Sequence, residues 1–150
     1  GFGSAELALE LATRGGAANV DSLDSSPAAL AEARENFALN ADLPEVAQAT
    51  HECVCEDAFG ALARFAIERR RFDLVLVDPP AFAKAKSEVG SALSGHARLA
   101  ELACGVLAPQ GILVMASCTA RIDADALSGA IRTGAKRADQ TTPRRNVSGR

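Results

Sequence analysis

The sequence predicts a doubly wound α/β fold on a mostly parallel sheet, and three observations carry that expectation. Helical and strand-like segments alternate along the chain, the order that crossover helices between parallel strands produce. Two apolar runs, Phe72 to Val77 and Ile112 to Ala116, lack polar alternation, as strands buried on both faces do. A glycine turn, Gly1-Phe2-Gly3, leads straight into a helical segment, and Asp24 closes the next strand 21 residues after Gly3. Glycine turn, helix and distal acid are the parts of a cofactor crevice in such sheets.

The elements follow in order. Leu7, Ala8, Leu11 and Ala12 share a helical face, and Gly15-Gly16 ends that helix. Val20 to Asp24 is a short strand. Ser26 caps a second helix with Pro27 at its first position and Leu30, Ala33 and Phe37 on one face. Residues 52–56 form a weaker strand. Ala58, Leu62, Phe65 and Ala66 mark a helix whose last turn is Arg69-Arg70-Arg71, the sign of charge that suits a helix carboxyl end. The Phe72 strand ends at Asp78, because Pro79 and Pro80 cannot donate to a ladder or continue a helix. Leu99, Leu102, Ala103 and Val106 define a helix stopped by Pro109-Gln110-Gly111, after which Ile112 to Ala116 is a strand. A last helix has Asp123 and Asp125 in its first turn and Leu127, Ala130 and Ile131 on its face.

A glycine turn like Gly1-Phe2-Gly3 normally follows a buried central strand, and none precedes it; no strand is recognisable after residue 138. The expected sheet therefore lacks its first and last strands, and the chain reads as a fragment cut at its cofactor loop. Residues 1–137 are expected to form this partial domain and residues 138–150 a basic, disordered tail.

Composition narrows the function classes. A chain of 150 residues, 48% hydrophobic, can bury a core and is not a disordered chain. No apolar run approaches the ~20 residues that span a bilayer, and no signal-peptide pattern opens the chain, so no membrane partner is expected. The four cysteines have neither zinc nor disulfide spacing, which makes a reducing, cytoplasmic setting the default. A net charge of −3 argues against a general nucleic-acid binder, but residues 132–150 carry +5. That basic segment either touches phosphates or is a solvated end.

The candidate chemistry sits at strand ends. Asp78, at the carboxyl end of a buried strand, lies where ligands bind in open α/β sheets. With the stiff Pro79-Pro80 rim and Phe82 it can hold a flat polar group, such as a nucleobase, by hydrogen bonding and stacking; otherwise it is a solvated strand stop. Asp24 is placed to accept from ribose hydroxyls. Glu6 stands where the third glycine of a dinucleotide fingerprint belongs, and its carboxylate repels pyrophosphate but not a phosphate-free ligand such as S-adenosylmethionine. Asp57 reaches an adenine amino group or caps a helix, and the two roles are compatible. Cys118 follows the second buried strand at the same sheet edge as Asp78, a candidate nucleophile or a packing residue. Cys53, Cys55 and Cys104 are expected to be buried packing residues, and His51 and His96 structural or surface residues.

These motifs point to a family. Asp24-Ser25-Ser26-Pro27, Glu35-Asn36 through Asn40, Phe72-Asp73-Leu74-Val75, Asp78-Pro79-Pro80-Ala81-Phe82-Ala83-Lys84, and Gly111-Ile112-Leu113-Val114 followed by Ser117-Cys118-Thr119 resemble the large-subunit ribosomal RNA cytosine-C5 methyltransferases. The resemblance covers roughly residues 1 to 131. It implies a class I, Rossmann-like methyltransferase fold, S-adenosylmethionine as cofactor and large-subunit ribosomal RNA as partner. It also implies Cys118 as the thiol that attacks carbon 6 of cytosine and Asp78 as the acid on the base's polar edge. Gly1, Gly3, Asp24, Ser25, Asp57, Ala58 and Asp78 carry over as cofactor contacts, and Pro79, Pro80 and Phe82 as substrate contacts. Three positions depart from the family pattern: Thr119 replaces a serine, His96 a tyrosine and Ala100 an asparagine. Two other readings stand beside this one: a methyltransferase acting on nitrogen, in which Cys118 only packs, and a chain that binds cofactor weakly or not at all.

Overall fold

The computed structural model describes residues 3–82, 86–117 and 122–141, which divide into one unit up to Ala61 and another from Leu62 on. Each unit holds a two-stranded parallel sheet with its connecting helices. The parallel α/β character matches the expectation; the strands form two pairs rather than one described sheet.

In the first unit, α1 (Gly3–Thr13) precedes β1 (Asn19–Asp24), α2 (Pro27–Leu39), α3 (Pro44–Gln48) and β2 (Thr50–Cys55). The first residues of α4 (Ala58–Ile67) also fall in this unit. The Ser26 hydroxyl accepts from the Ala29 N–H at 3.3 Å, with Pro27 in the first turn, and Leu30, Ala33 and Phe37 are the buried face, so cap and period agree. Helix α3 was not expected. Pro44 starts it and Val46 is its buried anchor. β1 and β2 pair in register from Asn19 with Thr50 to Asp24 with Cys55. Ala8, Ala12, Val20, Phe37 and Val46 form the core of this unit.

The second unit takes in the rest of α4, then β3 (Phe72–Val77), a short 3-10 turn (Lys86–Glu88), α5 (Val89–Gly105), β4 (Leu107–Met115) and α6 (Ala124–Thr141). Three expectations are corrected here. Helix α4 ends at Ile67, so Arg69-Arg70-Arg71 lies beyond its last turn; Arg69 has φ 60°, which a continuing helix forbids. Pro109-Gln110-Gly111 does not stop α5, which ends at Gly105 with Val106 as its C-cap, and Leu107 already pairs with Phe72. The three residues instead form an irregularity inside β4, between the Phe72–Leu107 and Leu74–Ile112 pairs. Gln110 takes φ 66°, and a Cβ on Gly111 would stand 3.0 Å from the carbonyls of both Ala108 and Phe72. Nor is the β3–β4 sheet buried on both faces. Ile112 is 61% and Val114 43% exposed, with Leu74 opposite Ile112 also exposed. An apolar run without alternation carries no record of which face is covered.

Helix α6 runs through the expected boundary at 138, and Ala138 is buried, so that stretch is helix rather than tail; residues 142–150 lie outside the described residues. Asp123 caps α6, its carboxylate accepting from the Ala126 N–H at 2.7 Å. Helices α5 and α6 pack closely, with Ala97, Ala100 and Ala103 buried on α5. A Cβ on Gly134 would come within 2.7 Å of the Ala100 methyl and 2.8 Å of the Glu101 nitrogen, and closer still to the Ala97 carbonyl.

Two alanine substitutions in one helix should therefore have opposite effects. Gly134→Ala should destabilise by about 1–3 kcal/mol, the cost of overpacking a tight contact. Gly129→Ala meets nothing within 4 Å and should stabilise by up to about 1 kcal/mol through helix propensity. Urea denaturation of both variants checks the pair, and equal effects would remove the close-packing account.

Candidate functional site

In each unit the parallel pairing gathers the strand carboxyl ends at one edge. In the first unit, Asp24 ends β1 opposite Cys55, and the Glu56 N–H donates to the Asp24 carbonyl at 3.2 Å. The Asp24 carboxylate accepts from the Ser26 N–H at 2.8 Å, which turns it back over the start of α2. Ser25 is exposed beside it. Asp57 follows β2 at the same edge, and one carboxylate oxygen accepts from the N–H groups of Phe59 and Gly60, both at 3.0 Å. It is thus the N-cap of α4, with Ala58 as the first helical residue. Gly3 is the first residue of α1, the helix that precedes β1. Gly1 lies outside the described residues. Glu6 is exposed in the first turn of α1.

The carboxylates of this edge are Asp24, Glu56 and Asp57, and the first turn of α1 carries a further one, Glu6. Carboxylates accept hydrogen bonds from ribose hydroxyls and an adenine amino group, and they repel phosphate. The chemistry of the edge therefore fits a phosphate-free nucleoside such as S-adenosylmethionine better than a dinucleotide.

In the second unit, Val77 pairs with Met115, and the Ala116 N–H donates to the Val77 carbonyl at 2.9 Å. Asp78 and Ser117 are the next residues on the two strands, so the acid and the chain leading to residue 118 leave the sheet side by side. Cys118 itself lies outside the described residues. Asp78 and Pro80 are exposed, and Phe82 is half-buried. The Phe82 ring meets His96 of α5 edge-on, 4.9 Å between centroids at 72°. His96, 1% exposed, is one of the most buried large side chains. Its Nδ1–H donates to the Ala92 carbonyl at 2.8 Å, while the buried Nε2 has no partner among the described residues. The other buried residues of α5, apart from Leu99, are the small Ala92, Ala97, Ala100 and Ala103. Sequence reasoning left this histidine as structural or surface; its link to Phe82 was not legible, since the two are 14 positions apart.

The other thiols are weak nucleophiles or mere surface groups. Burial pushes the Cys53 and Cys104 thiols up, against thiolate formation. Cys55 is exposed, contrary to the expectation that it packs: it shares the face of the half-buried Cys53 but is the last residue of β2, where its thiol reaches only the Ser25 carbonyl at 3.9 Å. Among the described residues, no group of three or more His, Cys, Asp or Glu side chains is placed to hold a metal ion, and no helix is long and apolar enough to cross a membrane.

No protein-family model matches the chain. It is 40% identical over 126 residues to a ribosomal RNA large subunit methyltransferase of Deinococcus radiodurans, covering 84% of this chain and 30% of that protein. It is 35% identical over 114 residues to a ribosomal RNA large subunit methyltransferase I of Shewanella denitrificans, covering 76% and 28%. The chain thus spans less than a third of the length of these curated relatives. Among solved structures it resembles the SAM-dependent methyltransferase from Agrobacterium tumefaciens, with TM-score 0.69 and 25% identity over 89% of this chain and 42% of the other. A methyltransferase-type chain complexed with SAH gives TM-score 0.61 at 21% identity, over 76% of this chain and 29% of the other. The fold is that of the S-adenosylmethionine-dependent methyltransferases.

One polar cluster lies between the sheet and α2 in the first unit. His51 stacks on Phe37, 3.9 Å between centroids, and its Nε2 shares a 2.8 Å hydrogen bond with the buried Ser22 hydroxyl. Burial, with the Arg34 guanidinium nearby, holds the imidazole below its ordinary value of 6.5. The unfolded chain therefore takes up a proton near 6.5 that the folded chain refuses. Stability from this site is complete above that value and is lost as the pH falls through the folded pKa. His51→Gln should flatten the decline in stability between about pH 7.5 and about pH 5.5, read by urea denaturation across that range. An unchanged slope would show that His51 is not the group responsible.

Proposed function

We propose that the protein is a ribosomal RNA methyltransferase that transfers a methyl group from S-adenosylmethionine to carbon 5 of a cytosine in large-subunit RNA. The observation that carries this reading is the pairing of Val77 with Met115, which sends Asp78 and its proline rim out of the sheet beside the strand that leads to Cys118. The similarity to large-subunit methyltransferases and to S-adenosylmethionine-dependent folds supports the enzyme class, the cofactor and the RNA partner. A soluble cytoplasmic enzyme is the setting we infer.

When bound, S-adenosylmethionine supplies an electrophilic methyl group on a sulfonium. Asp24, with Ser25 beside it, would accept from the ribose hydroxyls; Asp57 and Ala58 would meet the adenine edge; Gly1 and Gly3 would let the backbone approach. Carbon 5 of cytosine is a poor nucleophile, and the protein's own groups must correct this. The Cys118 thiolate adds to carbon 6, and the displaced π electrons make carbon 5 enamine-like. Carbon 5 would take the methyl group with its new electron pair, while the pair of the broken methyl–sulfur bond would stay with the sulfonium sulfur, which leaves as a neutral thioether. A base then removes the carbon 5 proton, the electrons of that C–H bond restore the ring double bond, and the bond from carbon 6 to sulfur breaks. Asp78 accepts from the polar edge of the base, while Pro79, Pro80 and Phe82 form the wall against its face.

Two sets of measurements on the full-length protein test the reading. Asp24→Ala should weaken S-adenosylmethionine binding by about 2 kcal/mol or more, the cost of losing hydrogen bonds to a charged acceptor. Calorimetry showing unchanged affinity would remove that residue from the cofactor site. Cys118→Ala should abolish methyl transfer and spare S-adenosylmethionine binding, and should also abolish a covalent adduct with RNA carrying 5-fluorocytosine. Asp78→Ala should lower both RNA affinity and turnover. Near-normal transfer by Cys118→Ala would replace the carbon 5 mechanism with transfer to nitrogen.

A further inference from the structure

Helix α4 closes in a way that fixes three arginines at the amino end of β3. The Arg70 N–H donates to the Phe65 carbonyl at 2.9 Å, and the Arg69 N–H to the Ala66 carbonyl at 3.1 Å. These are the paired bonds of a Schellman cap, whose turning residue must be left-handed and is usually glycine. Arg69 fills that position with φ 60°. Arg70 folds back over the helix end, its guanidinium 4.5 Å from the centroid of Phe65 and 5.3 Å from that of Phe72. Arg64 also lies over the Phe65 ring, 4.8 Å from its centroid, and is paired with Glu68 at 2.9 Å. Arg69 and Arg71 are exposed, and Arg71 donates to the Arg70 carbonyl at 2.9 Å.

A structural account explains part of this. One cation near the last turn suffices to offset the partial negative charge of a helix carboxyl end. It does not explain three in a row, nor an arginine where the backbone favours glycine at a saving of about 1 kcal/mol or more. The charge is also out of keeping with the chain. Residues 64–73 hold four arginines against Glu68, already engaged by Arg64, and Asp73, while the whole chain carries −3. Stacking on two rings orders the Arg70 guanidinium in advance, so less side-chain entropy is lost when an anion binds.

We propose that the Arg69-Arg70-Arg71 cap is a second RNA contact, which grips backbone phosphates of nucleotides flanking the target. This rests on the reading of the protein as an RNA methyltransferase. The cap stands at the start of β3 and Asp78 just past its end, about 20 Å apart along a six-residue strand. The cap therefore holds the RNA strand without touching the base that reacts. It adds affinity and register, and leaves the chemical step alone.

The test uses the full-length protein with Arg69→Gly and the double variant Arg69→Gly/Arg71→Ala. Four readouts are thermal unfolding, S-adenosylmethionine affinity, affinity for a large-subunit RNA fragment as a function of salt, and steady-state kinetics. Arg69→Gly should melt at the same or a higher temperature, because glycine suits the left-handed position. Both variants should keep S-adenosylmethionine affinity and kcat, bind RNA several-fold more weakly, and show a raised KM for RNA. The salt dependence of log affinity should become shallower by about 0.7–0.9 for each arginine removed. A stable double variant with unchanged RNA affinity and salt slope would overturn the cap as a contact while leaving the methyltransferase reading intact. A wild-type protein that binds S-adenosylmethionine but no RNA at low salt would overturn the RNA reading, and the cap with it.

Discussion

Parallel pairing is the constraint on which this structure depends. Two parallel neighbours cannot be joined by a tight turn, so each pair needs a crossover, here α2 with α3 between β1 and β2 and α5 between β3 and β4. Every strand of a pair then ends at the same edge. The positions just past Asp24, Cys55, Val77 and Met115 are where the chain carries its acids, its prolines and the approach to its thiol. No long-range motif had to be conserved in spacing for this to happen. The geometry of the ladder brings together residues that are far apart in the sequence.

The same carboxylates that face the edge also serve the backbone. Asp57 caps α4 with two N–H bonds, and Asp24 holds the turn into α2 with one. Such bonds fix the orientation of a carboxylate before any ligand arrives, and they place a negative group where a helix amino end favours it. Structural and binding roles are therefore not rivals at these positions. A capping acid at a strand end is already aimed, and the energy that orders it belongs to folding rather than to binding.

What the sequence revealed and what it hid follow from range. The start and the buried face of helix α2 were legible, because Ser26, Pro27 and the Leu30, Ala33, Phe37 stripe are local signals of cap and period. The carboxyl ends of β1 and β3 were legible because Asp24, and Asp78 with its two prolines, mark them. The end of α4 was not, since an arginine at φ 60° breaks the rule that glycine marks such a turn. Helix α3 escaped because five residues with one buried anchor, Val46, leave no periodicity to find. The start of β4 was hidden by Pro109 and Gly111, which read as a stop but sit within an irregular strand. The placement of Asp24, Asp57 and Asp78 at or just past strand ends was legible from the alternation of elements alone. The burial of His96 against Phe82 is a tertiary fact, and a lone histidine among alanines gives no sign of it.

The two prolines after Asp78 have one more effect. Proline has no backbone N–H, so Pro79 and Pro80 remove two successive donors from the rim and leave only carbonyls. Under the proposed function, a planar ring that shows an amino group to the Asp78 carboxylate would meet an acceptor. One that shows a carbonyl in the same place would meet no backbone N–H donor from the two residues that follow.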